Sequence, residues 1–167
     1  SFGGCGFLQS AAKALEHRGS VDAKHSIFGC DIDAVAFDYL SEVLGGPADL
    51  VRFVQSDFLE VERPEGWPES FDVVMGNPPY IPYQRIESSR REDLNRRICA
   101  AGRLGGRAGL WAYFVAHSIA RLKPGGRMAW VLPGAFIHAE YASALRDYLA
   151  HHFSRTAAFM VRDRLFL

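Results

Sequence analysis

The sequence lacks any apolar run that is long enough to cross a membrane. Apolar runs such as Met128–Leu132, which has five residues, are far shorter than the about 20 residues that a spanning helix needs. No basic segment followed by an apolar stretch opens the chain, so no signal peptide is indicated. We therefore expect a soluble, cytoplasmic protein that has no membrane partner.

Cysteine is also scarce, with three residues at positions 5, 30 and 99. No C-x-x-C pair is present, and no histidine lies near a cysteine at the spacing of metal ligands. An odd number of unclustered cysteines favours neither a disulfide framework nor a zinc site. We expect reduced, structural thiols and no bound metal.

Net charge is absent as well, because 19 Lys and Arg residues balance 19 Asp and Glu residues. Such a balance excludes a strong field around the whole molecule and, taken alone, argues against a nucleic-acid-binding protein. What is present is ordinary for a globular protein, with 49% hydrophobic and 23% charged residues. The length of 167 residues is about one domain's worth, so we expect a single domain over residues 1–167.

Helix and strand patterns alternate along the chain. Apolar spacing predicts helices over residues 7–17, 34–44, 108–122 and 139–152, and strands over residues 26–30, 50–55, 71–75, 127–132 and 156–161. Between residues 81 and 107 the alternation breaks. This order predicts an α/β fold, a three-layer sandwich around a mostly parallel sheet. Ligands of such folds bind outside the carboxyl ends of the strands.

Three groups of residues stand at positions where a nucleoside would bind. The turn Gly3-Gly4-Cys5-Gly6-Phe7 opens a helix and lets backbone amides approach a ligand, although it could equally be a simple turn. Asp31 follows a strand where an acid commonly binds ribose hydroxyls, with a helix N-cap as the alternative. Asp57 could accept from an adenine amino group beside the ring of Phe58, or could be an ordinary turn residue.

The segment Asn77-Pro78-Pro79-Tyr80 carries a more specific signal. Two prolines remove two backbone donors and fix φ, so the Pro78 carbonyl and the Asn77 amide oxygen form a fixed pair of acceptors. Such a pair can hold both hydrogens of one planar amino group, which frees the lone pair of the nitrogen for attack on a methyl sulfonium. Tyr80 can stack on the planar substrate.

With this motif the sequence resembles class I S-adenosylmethionine-dependent amino-methyltransferases, especially the gamma-type DNA adenine-N6 methyltransferases of restriction-modification systems. The resemblance implies catalytic roles for Asn77, Pro78, Pro79 and Tyr80. It also implies cofactor contacts at the Gly-rich turn (Gly3, Gly4, Cys5, Gly6 and Phe7), at Asp31 on the ribose and Ile32 beside it, at Asp57 and Phe58 on the adenine, and at Asn77.

The chain departs from the pattern of that family in two places. Cys5 occupies the position of the second glycine in the cofactor loop. The Asp-Pro pair and first strand of the family would precede Ser1, and its last strand has no counterpart. We therefore expect a catalytic domain without its first and last strands, or one that another polypeptide completes, such as a target-recognition domain or subunit.

An Arg-rich insertion over residues 81–107 follows the motif. Seven arginines (85, 90, 91, 96, 97, 103 and 107) face three acids, Glu87, Glu92 and Asp93, which leaves a local excess of +4. One interpretation is a solvated linker. The other is a loop that contacts DNA phosphates beside a flipped base, with affinity that falls steeply as salt rises.

The resulting prediction is methylation of the N6 amino group of adenine in duplex DNA, with the base flipped into the site. The enzymatic alternative is a protein-glutamine N5 methyltransferase acting on release factors, because a glutamine amide presents the same two N–H bonds. Methylation of RNA guanine is a weaker third option. A further alternative is a non-catalytic methyltransferase-like module of a larger assembly.

Overall fold

The computed structural model describes residues 2–3, 5–44, 52–98, 104 and 107–161. The chain forms two compact units. The first comprises Ser1–Pro78 and Ser118–Val131, and the second comprises Pro79–His117 and Leu132–Leu167. Among the described residues, no helix is long and apolar enough to cross a membrane.

The first unit holds all the described strands. Its elements are α1 (Gly6–His17), a 3-10 turn (Lys24–Ser26), β1 (Gly29–Asp31), α2 (Val35–Asp38), α3 (Leu40–Leu44), β2 (Phe53–Gln55), β3 (Phe71–Gly76) and β4 (Leu122–Trp130). Strand β1 pairs with β2 and β3 pairs with β4, both in parallel. The predicted α/β class with parallel strands is confirmed, as two short sheets within the described part of the chain.

Helix α1 and the strands share a core. Leu8 and Ala12, four residues apart, place two buried side chains on one face of α1. The helix ends where Gly19 adopts a φ of 83°, which glycine tolerates without steric cost. The buried cluster consists of Phe2, Cys5, Leu8, Ala12, Ile27, Ala36, Leu40 and Phe53. It fixes α1, α2 and α3 against the first sheet.

The parallel register sets which residues meet at the carboxyl edge of the first sheet. Asp31, the last residue of β1, lies opposite Gln55, the last residue of β2. The amide of Ser56 then donates to the Asp31 carbonyl at 2.9 Å. The loop that carries Asp57 therefore begins beside Asp31, as the sequence predicted for neighbouring parallel strands.

The second unit is helical in its described residues. Its elements are a 3-10 turn (Tyr83–Arg85), α4 (Ser88–Ile98), most of α5 (Leu110–Ile119), α6 (Ala135–His138), a second 3-10 turn (Glu140–Ala142) and α7 (Ser143–His152). Buried Leu94 anchors α4, and buried Leu145 and Leu149 lie one turn apart on α7. The Arg-rich insertion, where the sequence pattern gave no element, thus contains an 11-residue helix.

Several predicted elements need correction. The strand expected over residues 26–30 is confined to Gly29–Asp31, and the strand expected over residues 127–132 runs from Leu122 to Trp130. The helix expected over residues 34–44 is two short helices, α2 and α3. The helix expected over residues 108–122 ends at Ile119, because β4 begins at Leu122. The helix expected over residues 139–152 begins with a 3-10 turn. The strand expected over residues 156–161 is absent from the described residues, and its exposed side chains, such as Phe159 at 90%, pack on no partner strand.

Candidate functional site

Asp31 ties the N-terminal turn to the end of β1. Its Oδ2 accepts hydrogen bonds from the amides of Phe2 at 2.8 Å and Gly3 at 2.9 Å. Its Oδ1 accepts from the amide of Asp33 at 3.1 Å. The side chain is buried, with 4% exposure. Three backbone donors therefore use most of the roughly four acceptor positions of this carboxylate.

Asp33, rather than Asp31, has the helix-capping role that was the alternative prediction for Asp31. Asp33 Oδ1 accepts from the amide of Val35 at 3.0 Å, at the start of α2. Beside Asp31, the side chain of Ile32 is 66% exposed, which leaves an apolar surface at the carboxyl edge of β1. The two predicted cofactor contacts, Asp31 and Ile32, thus differ in accessibility.

Asp57 and Phe58 stand at the same edge of the sheet. Asp57 Oδ1 accepts from the amide of Leu59 at 2.9 Å, and its carbonyl accepts from Glu60 and Val61. The carboxylate therefore closes a turn, as the alternative interpretation expected, while both Asp57 and Phe58 remain half-buried.

Cys5 lies in the Gly-rich turn. Among the described residues, it is the one with a positive φ that is not glycine. Cys5 has φ 62° and ψ 7°, the left-handed conformation that glycine adopts without strain. Its side chain is fully buried, and its thiol lies 3.6 Å from the Ala36 carbonyl. Burial and the nearby Asp31 carboxylate raise the pKa of this thiol. The Cys5 side chain therefore faces the core.

The other residues of the turn are placed as follows. Gly3 has φ 46° and is exposed, Gly6 begins α1, and Phe7 is half-buried. Gly4 lies outside the described residues. The turn opens directly into the N-terminus of α1, the arrangement expected of a loop whose amides meet a ligand.

Asn77 leaves a buried acceptor unused at the carboxyl end of β3. Its Oδ1 is buried and accepts no hydrogen bond from the described part of the chain. Burying an amide oxygen without a partner costs about 1–3 kcal/mol, so this oxygen calls for a donor that the described residues do not supply. Trp130 Nε1, on the paired strand β4, is likewise buried without an acceptor there.

Packing between Gly76 and Trp130 sets the position of Asn77. Gly76 lies opposite Trp130 in the parallel register, and its carbonyl accepts from the Val131 amide at 3.0 Å. A Cβ at Gly76 would lie 2.9 Å from Trp130 Cζ3. The indole thus lies against the backbone directly before Asn77, and only glycine allows this approach.

The remaining residues of the motif lead into the second unit. Pro78 is buried and Pro79 is half-buried. Tyr80 is 45% exposed, and partial burial raises the pKa of its hydroxyl. A tyrosine in this state stays neutral at physiological pH and offers a ring face to a ligand.

Tyr80 lines a cavity of about 410 Å³ within the second unit, inside the usual range for small-molecule sites. The lining residues are Tyr80, Ile81, Pro82, Tyr83, Gln84, Arg107, Gly109, Trp111, Pro133 and Tyr141. Four of them are aromatic. Tyr83, Trp111 and Tyr141 were not among the predicted site residues, because they come from three separate segments and no local pattern joins them.

One backbone hydrogen bond closes the segment that follows the motif. The Leu110 amide at the start of α5 donates to the Ile81 carbonyl at 2.8 Å. Gly109 permits this contact, because a Cβ there would lie 3.0 Å from the same carbonyl and 2.9 Å from Trp111 Nε1. The intervening residues therefore leave and rejoin the fold at nearly the same point.

Several arginines of the insertion already have partners on their own helix. Arg96 and Arg97 both bind Asp93, at 3.4 Å and 2.7 Å. Arg91 donates to the Ser88 hydroxyl at 2.9 Å and lies 5.8 Å from the centroid of the Tyr83 ring. Arg103 lies outside the described residues. Four of the seven arginines of the insertion thus lie on α4, where Glu92 and Asp93 leave a net charge of +2.

The sequence profile of the Eco57I restriction-modification methylase family matches residues 47–163, which is more than half of the chain. The chain belongs to the Eco57I restriction-modification methylase family. The predicted resemblance to restriction-modification methyltransferases is thereby confirmed. The matched range includes Asp57, the Asn77–Tyr80 motif and the Arg-rich insertion, whereas the gamma-type subclass stays a prediction.

This Eco57I-family chain matches curated relatives at identities of 27% and 31%. Type II methyltransferase M.XhoI of Xanthomonas vasicola is 31% identical over 103 residues, which cover 62% of this chain and 18% of that protein. Type II methyltransferase M.AccI of Acinetobacter calcoaceticus is 27% identical over 85 residues, which cover 50% and 15%. The chain spans less than a fifth of the length of these relatives.

Proposed function

We propose that the protein methylates the N6 amino group of adenine in duplex DNA, with the target base flipped out of the helix. Membership of a restriction-modification methylase family supports DNA as the substrate, as do relatives named Type II methyltransferases. The adenine amino group is the finer part of the proposal, and it rests on the Asn77–Tyr80 motif.

The unused Oδ1 of Asn77 is the observation that carries the proposal. A substrate amino group has two N–H donors, and Asn77 Oδ1 with the Pro78 carbonyl offers the two acceptors. Accepting from both N–H bonds withdraws the lone pair of the nitrogen from the ring and makes it nucleophilic. The extra proton leaves after transfer, when the nitrogen is cationic, so no strong general base is needed.

Tyr80 supplies the surface on which the base stacks. Tyr80 lies two residues after Pro78 in the chain. It lines a cavity together with three further aromatic side chains. Stacking of a base on an aromatic ring contributes about 1–3 kcal/mol. A contribution of that size offsets a large part of the few kcal/mol that flipping a base costs.

The methyl donor implied by the family is S-adenosylmethionine, which supplies an electrophilic methyl group when bound. The carboxyl edge of β1 and β2 fits its adenosine part. Asp31, the ribose contact that the family resemblance implies, is buried, and backbone amides use three of its roughly four acceptor positions. Exposed Ile32 and half-buried Phe58 offer apolar surface for the adenine, and Asp57 offers a carboxylate.

The proposal is tested by methyl transfer in the full-length protein. We expect wild type to form N6-methyladenine in unmethylated duplex DNA, detected by mass spectrometry of nucleosides. Asn77→Ala should lose this activity by at least about 100-fold, because the amino group is no longer held. The matched control is Asn95→Ala, which removes an acceptor that bonds the Tyr113 hydroxyl at 3.1 Å and should lower stability without abolishing transfer.

Three results would overturn the proposal. One is full activity in Asn77→Ala. Another is methylation of a release factor in place of DNA, which would establish the glutamine alternative. The third is the absence of any heat when S-adenosylmethionine is titrated into the protein in a calorimeter, which would indicate a non-catalytic module.

A further inference from the structure

The cavity that Tyr80 lines has aromatic and cationic side chains in its described walls but no anionic one. Its walls carry four aromatic rings, and Arg107 is the single cationic side chain among the described residues that line it. No carboxylate is among those lining residues. Aromatic faces stack on a planar ligand, and a guanidinium binds an anion, so this lining favours a ligand that is both planar and negatively charged.

Arg107 differs in its position from Arg91, Arg96 and Arg97 of the insertion. Arg96 and Arg97 are held by Asp93, and Arg91 by Ser88. Arg107 follows α4 and lies just before Gly109, where the chain returns to the Ile81 carbonyl. Its side chain is exposed and reaches the cavity, so it can bind a ligand without first breaking a described ion pair.

We propose that Arg107 binds a backbone phosphate of the flipped nucleotide while the base stacks on Tyr80. The inference rests on the proposed function and adds the residue that selects a nucleic acid as its substrate. A guanidinium binds phosphate through two parallel N–H bonds, which orients the nucleotide as well as attracting it. A glutamine side chain on a protein carries no such anion, so Arg107 distinguishes the two substrate classes.

The test is the salt dependence of DNA recognition by the full-length protein. The probe is long duplex DNA prepared without base methylation, and the measured quantities are kcat and KM for DNA between about 50 and 200 mM salt. Each phosphate contact contributes about 0.9 to the slope of log affinity against log salt concentration. Arg107→Ala should therefore lower the magnitude of the slope by about one and raise KM about tenfold, with kcat within about twofold.

Two further variants separate this role from a general loss of charge or of folding. Arg107→Lys keeps the positive charge and should restore the salt slope, but not the full KM, because an ammonium cannot bind in two-pronged fashion. Arg96→Ala is the matched control, because it removes another exposed arginine of the insertion, one that is paired with Asp93. It should leave both the slope and KM unchanged.

The outcomes distinguish this inference from the proposed function. If wild type methylates adenine but Arg107→Ala retains the wild-type slope and KM, the phosphate contact is refuted and the function stands. An Arg96→Ala variant with the same loss as Arg107→Ala also refutes it, because the effect would then be general electrostatics. If wild type methylates no DNA, and anisotropy shows equal DNA binding by wild type and Arg107→Ala, both proposals fail.

Discussion

Replacing Gly76 by alanine tests the packing that positions Asn77. The added Cβ would lie 2.9 Å from Trp130 Cζ3, whereas carbon atoms in good contact are about 3.5–4.0 Å apart. The indole or the strand must therefore move by roughly half an ångström or more. Overpacking of this kind costs about 1–3 kcal/mol, which we expect as a lower free energy of unfolding for Gly76→Ala.

The same displacement should also move Asn77, which is the next residue, and so lower the rate of methyl transfer. A misplacement of about 1 Å costs roughly 100-fold in rate, so we expect Gly76→Ala to lower kcat for methyl transfer about tenfold. Urea unfolding followed by circular dichroism measures the stability, and methyl transfer to DNA measures kcat. Gly134→Ala is the matched control, because no atom lies within 4 Å of a Cβ at that exposed position and its φ is −54°.

A double-mutant cycle decides whether the contact with Trp130 causes the destabilisation of Gly76→Ala. In a Trp130→Leu background the clashing ring atoms are gone, so Gly76→Ala should cost little. The expected coupling is about 1–3 kcal/mol, as for residues in direct contact. Equal destabilisation by Gly76→Ala in both backgrounds would refute the packing argument, even if the single variant is unstable.

Three further predictions concern the cysteines. Cys5→Gly should be more stable than Cys5→Ala by about 1 kcal/mol in thermal unfolding, because glycine adopts the φ of 62° without strain; a more stable alanine variant would contradict this. Burial raises the pKa of the Cys30 thiol from 9.0 to about 11, so native protein at pH 8 should react with iodoacetamide much more slowly at Cys30 than urea-unfolded protein does. Because the Cys30 thiol loses its proton at a lower pH in the unfolded chain, the free energy of unfolding should also fall as pH rises from about 9 through 11. Rapid labelling of Cys30 in the native protein would contradict the burial of this thiol.

The sequence was most informative where apolar periodicity and strand ends coincide. The β1 and β2 strands were predicted within a few residues, and their parallel pairing brings Asp31 and the Asp57 loop to one edge, as the strand-end rule requires. The Asn77–Tyr80 motif was found because its chemistry is local, in four consecutive residues. The strained Cys5 position was also readable, since a glycine was expected there.

Other features depend on contacts that no local pattern reveals. Helix α4 has the sequence SSRREDLNRRI, with one buried apolar side chain, so its apolar periodicity is too weak to predict a helix. It is supported by Leu94, by the Asp93 ion pairs and by the bond from Tyr113 to Asn95. The cavity was missed because its aromatic walls meet only in three dimensions. The segment 156–161 has the apolar composition of a strand but no described partner.

The bond between the Ile81 carbonyl and the Leu110 amide has a consequence for the length of the segment that it closes. It holds both ends of the intervening segment together. The entropy of closing a loop changes by only about 0.6 kcal/mol when its length doubles. A change of length within this segment therefore adds little closure entropy, and the hydrogen bond that follows the motif keeps both ends of the segment in place.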